Sequence, residues 1–263
     1  MARWRSIGHA LREGAGGGAG EPERLWAPTD SGNLRLLLTA ASFEPGVRWA
    51  DQSGRGNHYT GAGGAEANQG AIETVIFDGD EHLDGPALSN FSDNGLMYAS
   101  ALVYATGDAT TPMAAGVWAA VAGSDVPSQG IGYVKVGAEN RFNALYHTAS
   151  GGSGWKGADV EADADGKWVW VEVGFDGANV RARGTDASAP IDTTSTATTS
   201  APWNMAQLTE IGRGVEVSNN LYYIGHIGMI CVFRGAPSAT DMTNMRAFMV
   251  RTYGIADPGS NLY

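Results

Sequence analysis

Three kinds of side chain in this sequence have the types and spacing to do chemistry. Asp78-Gly79-Asp80-Glu81 packs three carboxylates into four residues, and hard oxygen donors at that density suit calcium. The twelve-residue EF-hand pattern is missing, so no metal or cofactor is assigned, and Asp78 and Asp80 are calcium candidates by composition alone. Glu161-Ala162-Asp163-Ala164-Asp165 offers carboxylates of the kind glycoside hydrolysis needs, one to protonate the leaving oxygen and one to act as nucleophile or base. Its intervening residues are small and Asp165-Gly166 reads as a turn, so no catalytic residue is assigned. Tyr146, Trp155, Trp203 and Tyr222 lie outside the expected core; their aromatic faces suit the apolar C–H surface of a sugar ring. His9, His58, His82, His147 and His226 never fall at short metal-ligand spacings. No nucleophile elbow or phosphate-binding glycine loop is present.

Such residues need strands and turns to position them. Lys167-Trp168-Val169-Trp170-Val171-Glu172-Val173-Gly174-Phe175 is dominated by β-branched and aromatic residues and predicts a strand. Asp176-Gly177 turns it into a partner over 179–183, a hairpin signal. Further strands are expected at 46–49, 74–77, 96–105, 113–121, 130–136, 141–146, 207–211 and 222–233. The Thr/Ser/Ala stretch 185–201 reads as an extended loop or weak edge strand. Ser238 caps a helix that carries Met242, Met245, Phe248 and Met249 on one face, and Gly254 stops it.

Composition narrows the function classes. A chain of 263 residues, 43% hydrophobic, can bury one sizeable core, and its 38 glycines with only 17% charged residues describe many tight turns between short strands. The net charge of −11 excludes a nucleic-acid partner, which needs clustered Lys and Arg. No stretch approaches the ~20 apolar residues of a membrane span, and the opening has no secretory signal pattern. The sole cysteine, Cys231, sits in an apolar run and fits a small buried side chain.

Charge is unevenly spread: Arg3, Arg5 and Arg12 against Glu13 give a basic opening to an acidic chain. Residues 3–12 can form a short helix with Trp4, Ile7 and Leu11 on one face. Below ~12–15 residues a helix needs something to pack against, and the run Gly14 to Gly20 that follows is a flexible tether by composition. The expected organisation is an anchoring arm and tether over 1–21 and one domain over 22–263.

Ordered motifs in that domain carry a resemblance. Trp49-Ala50-Asp51-Gln52-Ser53-Gly54-Arg55-Gly56-Asn57-His58 is a strand running into an Asp/Asn/Gly turn, Phe77-Asp78-Gly79 is a second turn, and Tyr222 to Phe233 is a late hydrophobic strand before the helix closing in Tyr253-Gly254-Ile255. In this order they resemble a concanavalin A-like, laminin-G-like jelly roll over roughly 22–256. The resemblance implies an all-β sandwich of two antiparallel sheets with a short C-terminal helix. The physics of the 51–58 motif is turn closure by Asp and Asn side chains. The 161–165 segment is superficially similar to the Glu-x-Asp-x-x-Glu strand of laminarinase-like relatives but lacks the terminal Glu.

Domains of this family occur in carbohydrate-binding proteins, adhesive exoproteins and bacteriophage virion proteins. A copy on a basic arm looks most like a non-enzymatic virion surface component, made in the bacterial host's cytoplasm and displayed as a head decoration, head fibre or tail-associated protein. Its expected partners are capsid or tail proteins, copies of itself, for which a trimer suits the short arm, and host surface glycans. The alternatives are a soluble carbohydrate-binding protein or glycoside hydrolase of the jelly-roll class, and a cementing role with no glycan.

Overall fold

The computed structural model describes residues 25–61, 63–106, 115–120, 129–136, 139–148, 158–160, 166–186, 190–192, 196–197, 202, 204–213 and 222–262. The arm over 1–21, Trp155, Trp203 and the 161–165 carboxylates lie outside these residues.

Two antiparallel sheets stack face to face. The first runs Pro190–Asp192, Asn179–Thr185, Trp168–Phe175, Met97–Ala105, Ile224–Arg234, Ile72–Asp78, Ala65–Gln69, with Leu34–Thr39 also pairing Ile224–Arg234 and Thr196–Ala197 pairing Asn179–Thr185. The second runs Ala158–Asp159, Glu139–Tyr146, Gln129–Val136, Ala115–Ala120, Leu208–Ile211, Leu83–Ala87, Tyr59–Thr60, Arg48–Trp49, Phe43–Glu44. The jelly-roll sandwich expected from the motifs is the fold observed. The hairpin over 168–185 is in register from Phe175–Val180 to Trp170–Thr185. Part of the Thr/Ser/Ala stretch pairs at that sheet's edge.

Between the sheets lies a core that includes Trp49, Tyr59, Phe77, Trp118, Tyr133, Phe142 and Ile230. A second apolar layer lies outside the first sheet, where Met242, Met245, Phe248 and Met249 of the helix Ala239–Tyr253 pack with Tyr98, Leu102, Trp170, Cys231 and Phe233. Because the central strand Ile224–Arg234 is covered on both faces, its sequence from Ile227 to Phe233 is a continuous apolar run rather than an alternation. Burying a Met or Phe side chain stabilises by about 1.5–3 kcal/mol, so four such residues dock a helix that would be marginal alone.

Local chemistry sets the helix ends. Ser238 Oγ accepts a hydrogen bond from the Asp241 N–H at 3.0 Å, and Gly254 takes a left-handed φ of 69°. Beyond it, Arg183 holds the C-terminal segment by donating to the Ser260 carbonyl at 2.9 Å. At the other end, Trp26 packs against the helix layer and its carbonyl accepts from Arg251 Nη2 at 2.9 Å. Both ends of the described chain are therefore pinned on the helix-covered face.

Candidate functional site

The outer face of the second sheet carries one cluster of charged residues. In Leu83–Ala87, Leu83 points into the core and Asp84 outward; in Leu208–Ile211, Thr209 and Ile211 point inward and Glu210 outward, as strand alternation requires. Glu210 pairs with Asp84 on one side and Ala119 on the other. His82 stands just before the first strand and Arg213 just after the second.

These four side chains meet. His82 Nε2 lies 3.6 Å from Asp84 Oδ1 and 3.4 Å from Arg213 Nη1, and Arg213 Nε lies 3.6 Å from Glu210 Oε2. The Tyr222 ring stands 6.2 Å from the His82 ring, brought there by the bridge between Arg213 and Tyr222. Gly212 makes that geometry accessible: its φ is +84°, and a side chain on it would press on the Phe77 ring at 2.6 Å and the Glu81 carbonyl at 2.9 Å.

Burial sets the electrostatics of the cluster. Glu210 is 8% exposed, and desolvation pushes its carboxyl up to about 7, with Asp84 adding to the rise and Arg213 opposing it. The His82 imidazole is lowered by burial and by Arg213, against the pull of Asp84. The face thus offers a guanidinium, two carboxyls, an imidazole and one aromatic ring, with Leu208 exposed beside them. That mixture of donors, acceptors and apolar surface suits hydroxyl-rich ligands.

A chain of buried hydrogen bonds holds the strands beneath. Trp118 Nε1 donates to the Tyr59 hydroxyl at 2.6 Å, Tyr59 bonds Thr209 Oγ1, and Thr209 Oγ1 donates to the Pro86 carbonyl at 2.8 Å. It links the four strands that contribute Tyr59, Leu83–Ala87, Ala115–Ala120 and Leu208–Ile211.

The sequence-predicted residues fall in different places. Tyr222 joins the cluster. Tyr146 does not: it is 3% exposed and stacks on Phe175 with ring centroids 5.3 Å apart, which corrects the expectation of a sugar-facing ring. Alternation in Glu139–Tyr146 turns Phe142, Ala144 and Tyr146 to the core together. Asp78 and Asp80 stand with Glu81 on the turn, their ligand atoms within 4.8 Å of one another, and Asp80 is raised by its hydrogen bond to Asp78. Asp51 accepts from the N–H groups of Leu37, Ser53 and Asn57, and His58 Nδ1 accepts from the Asp51 N–H. The 51–58 motif is thus a turn-closing knot.

Sequence reading missed His82, Asp84, Glu210 and Arg213. The legible signal was His82-x-Asp84, two polar groups at the two-residue spacing of one strand face; Glu210 and Arg213 join them only through strand pairing.

No family model and no curated protein matches the chain. Solved structures do. Domain 4 of an extracellular GH43 arabinanase from Geobacillus stearothermophilus, solved with arabinotriose, matches with a TM-score of 0.57 and 16% identity over 81% of this chain and 98% of that one. A Trypanosoma rangeli sialidase in complex with 2,3-difluoro-KDN gives 0.58 and 13% identity, covering 85% of this chain and 33% of that one. Botulinum neurotoxin type C, which depends on two ganglioside molecules to enter cells, gives 0.51 and 13%, covering 82% of this chain and 50% of that one. The chain therefore spans about a third of the sialidase and half of the toxin chain. At these identities the likeness is one of fold, and the fold is a jelly-roll β-sandwich.

Proposed function

We propose that the chain is a non-enzymatic, lectin-like protein of a bacteriophage surface, a head decoration, head fibre or tail-associated protein, docked through its N-terminal arm and binding host glycans through the outer face of the second sheet. The observation that carries this reading is the polarity of the sandwich. Trp26 and the C-terminal segment are tied to the helix-covered face, whereas the Asp84, Glu210, Arg213, His82 and Tyr222 cluster stands on the opposite face. Trp26 lies on the helix side, so docking through the residues before it would leave the polar sheet free to face outward. Support for glycans also comes from the similar folds solved with, or reported to need, sugar-containing ligands. That step is one of analogy.

The full chain on a glycan array that includes bacterial surface polysaccharides is the direct test. Binding that falls at least tenfold in Arg213→Ala or Tyr222→Ala supports the reading, and a blank array on folded protein rejects glycan recognition. Docking is tested separately: removing residues 1–20 should leave a folded protein that no longer joins particles. A glycoside hydrolase is the second reading, favoured by the facing carboxyls of Asp84 and Glu210. Reducing-sugar release lost in Glu210→Gln would establish it.

A further inference from the structure

We infer that His82, Asp84 and Glu210 form a site for a transition-metal dication of the zinc class. Their ligand atoms lie within 4.8 Å of one another, and His82 Nε2 and Asp84 Oδ1 are 3.6 Å apart. Ligands roughly 2.1 Å from a tetrahedral dication stand roughly 3.4 Å from each other. The first pair therefore already has the spacing of a shared ion, and a Glu210 carboxyl oxygen lies within 4.8 Å of both. An imidazole with two carboxylates suits zinc, whereas calcium and magnesium take oxygen shells.

A second observation points to a ligand. Glu210 is 8% exposed, and its Oε2 is buried with no hydrogen-bond donor among the described residues. Buried carboxylates are ordinarily hydrogen-bonded, paired or metal-bound. Arg213 Nε forms an ion pair with this oxygen at 3.6 Å, too long for a hydrogen bond, so the oxygen has a compensating charge but no donor. The exposed Asp78, Asp80 and Glu81 cluster has no comparable buried group, so it carries no such inference.

Arg213 is the competitor. It lies against both His82 and Glu210 and supplies the positive charge the ion would replace. Its side chain moves outward when the ion enters. Three protein ligands leave a coordination position open toward solvent, on the side where the Asp84 side chain is 55% exposed. The site thus makes opposite predictions for two kinds of substitution: removing a ligand weakens the metal, and removing the arginine tightens it.

Isothermal titration of zinc chloride into the EDTA-treated full chain, with calcium chloride alongside, tests the assignment. One zinc per chain is expected, weakened at least tenfold in His82→Ala and in Asp84→Asn, tightened in Arg213→Gln and unchanged in Asp80→Asn. Thermal melts without zinc verify that each variant is folded; the exposed Asp84→Asn keeps the test intact should a buried substitution unfold the chain. Absence of saturable zinc binding, binding indifferent to His82→Ala, or weaker binding in Arg213→Gln would overturn the site. Zinc uptake is read without sugar, so a blank glycan array leaves this inference standing.

Discussion

Trp118 donates its indole N–H to the hydroxyl of Tyr59 at 2.6 Å, with both rings fully buried beneath the strands that carry Asp84 and Glu210. Two residues 59 apart in sequence are joined by a bond whose polarity continues through Thr209 to the Pro86 carbonyl. Tyr59→Phe breaks the relay while keeping the ring. It leaves the Trp118 donor without its acceptor, so a loss of about 1–3 kcal/mol is expected in urea denaturation. An unchanged midpoint would show that the relay contributes nothing to holding these strands.

Gly85 makes room for that tyrosine. A Cβ at this position would collide with the Tyr59 ring, which is enclosed by core on every side. Gly85→Ala therefore forces the ring or the strand to shift, at a cost of about 1–3 kcal/mol. Because Asp84 is the neighbouring residue, ligand binding on the outer face should weaken in the same variant. A melting temperature equal to that of the parent chain would refute the packing argument.

Much of the fold was legible because its signals are local. Asp176-Gly177, the Trp168–Phe175 run and the Ser238 to Gly254 helix each carry their own turn, propensity or cap, and each stands where the sequence put it. Ala65–Gln69 was not readable: its residues are mostly small or polar and largely exposed, and it becomes a strand by pairing with Ile72–Asp78. Leu83–Ala87 was hidden by Gly85 and Pro86, which oppose strand formation on their own. The charged cluster was illegible for a related reason. Glu210 is an ordinary surface-type residue until the register sets it beside Asp84, and Tyr146 resembles an exposed aromatic until alternation turns it inward.

Glu172 and Arg183 are both fully buried on the first sheet, joined through Arg183 Nε at 2.7 Å and Nη2 at 2.6 Å to Glu172 Oε2. Tyr98 donates to the other carboxylate oxygen at 2.7 Å. Arg183→Met leaves an uncompensated buried carboxylate and frees the segment held at Ser260, so it should cost about 3–5 kcal/mol. Replacing both partners, Glu172→Leu with Arg183→Met, should restore part of that loss, because neither charge remains to be desolvated. Chemical denaturation of the single and double variants measures the difference; a double variant less stable than Arg183→Met would contradict it.

His147 gives the fold an acid-sensitive component whose sign follows from its burial. It is 5% exposed, and desolvation pushes its imidazole down to about 4 from an ordinary 6.5. As pH falls below 6.5 the unfolded chain takes up a proton that the folded chain refuses, so stability declines from 6.5 and levels off below 4. The full effect is up to about 2 kcal/mol once partial solvent screening is allowed for. His147→Gln removes this titration, so the gap in unfolding free energy between variant and parent should move in the variant's favour between pH 7.5 and pH 4.5. Denaturant midpoints at those two pH values measure the change, and a gap independent of pH would show that His147 is protonated equally in both states.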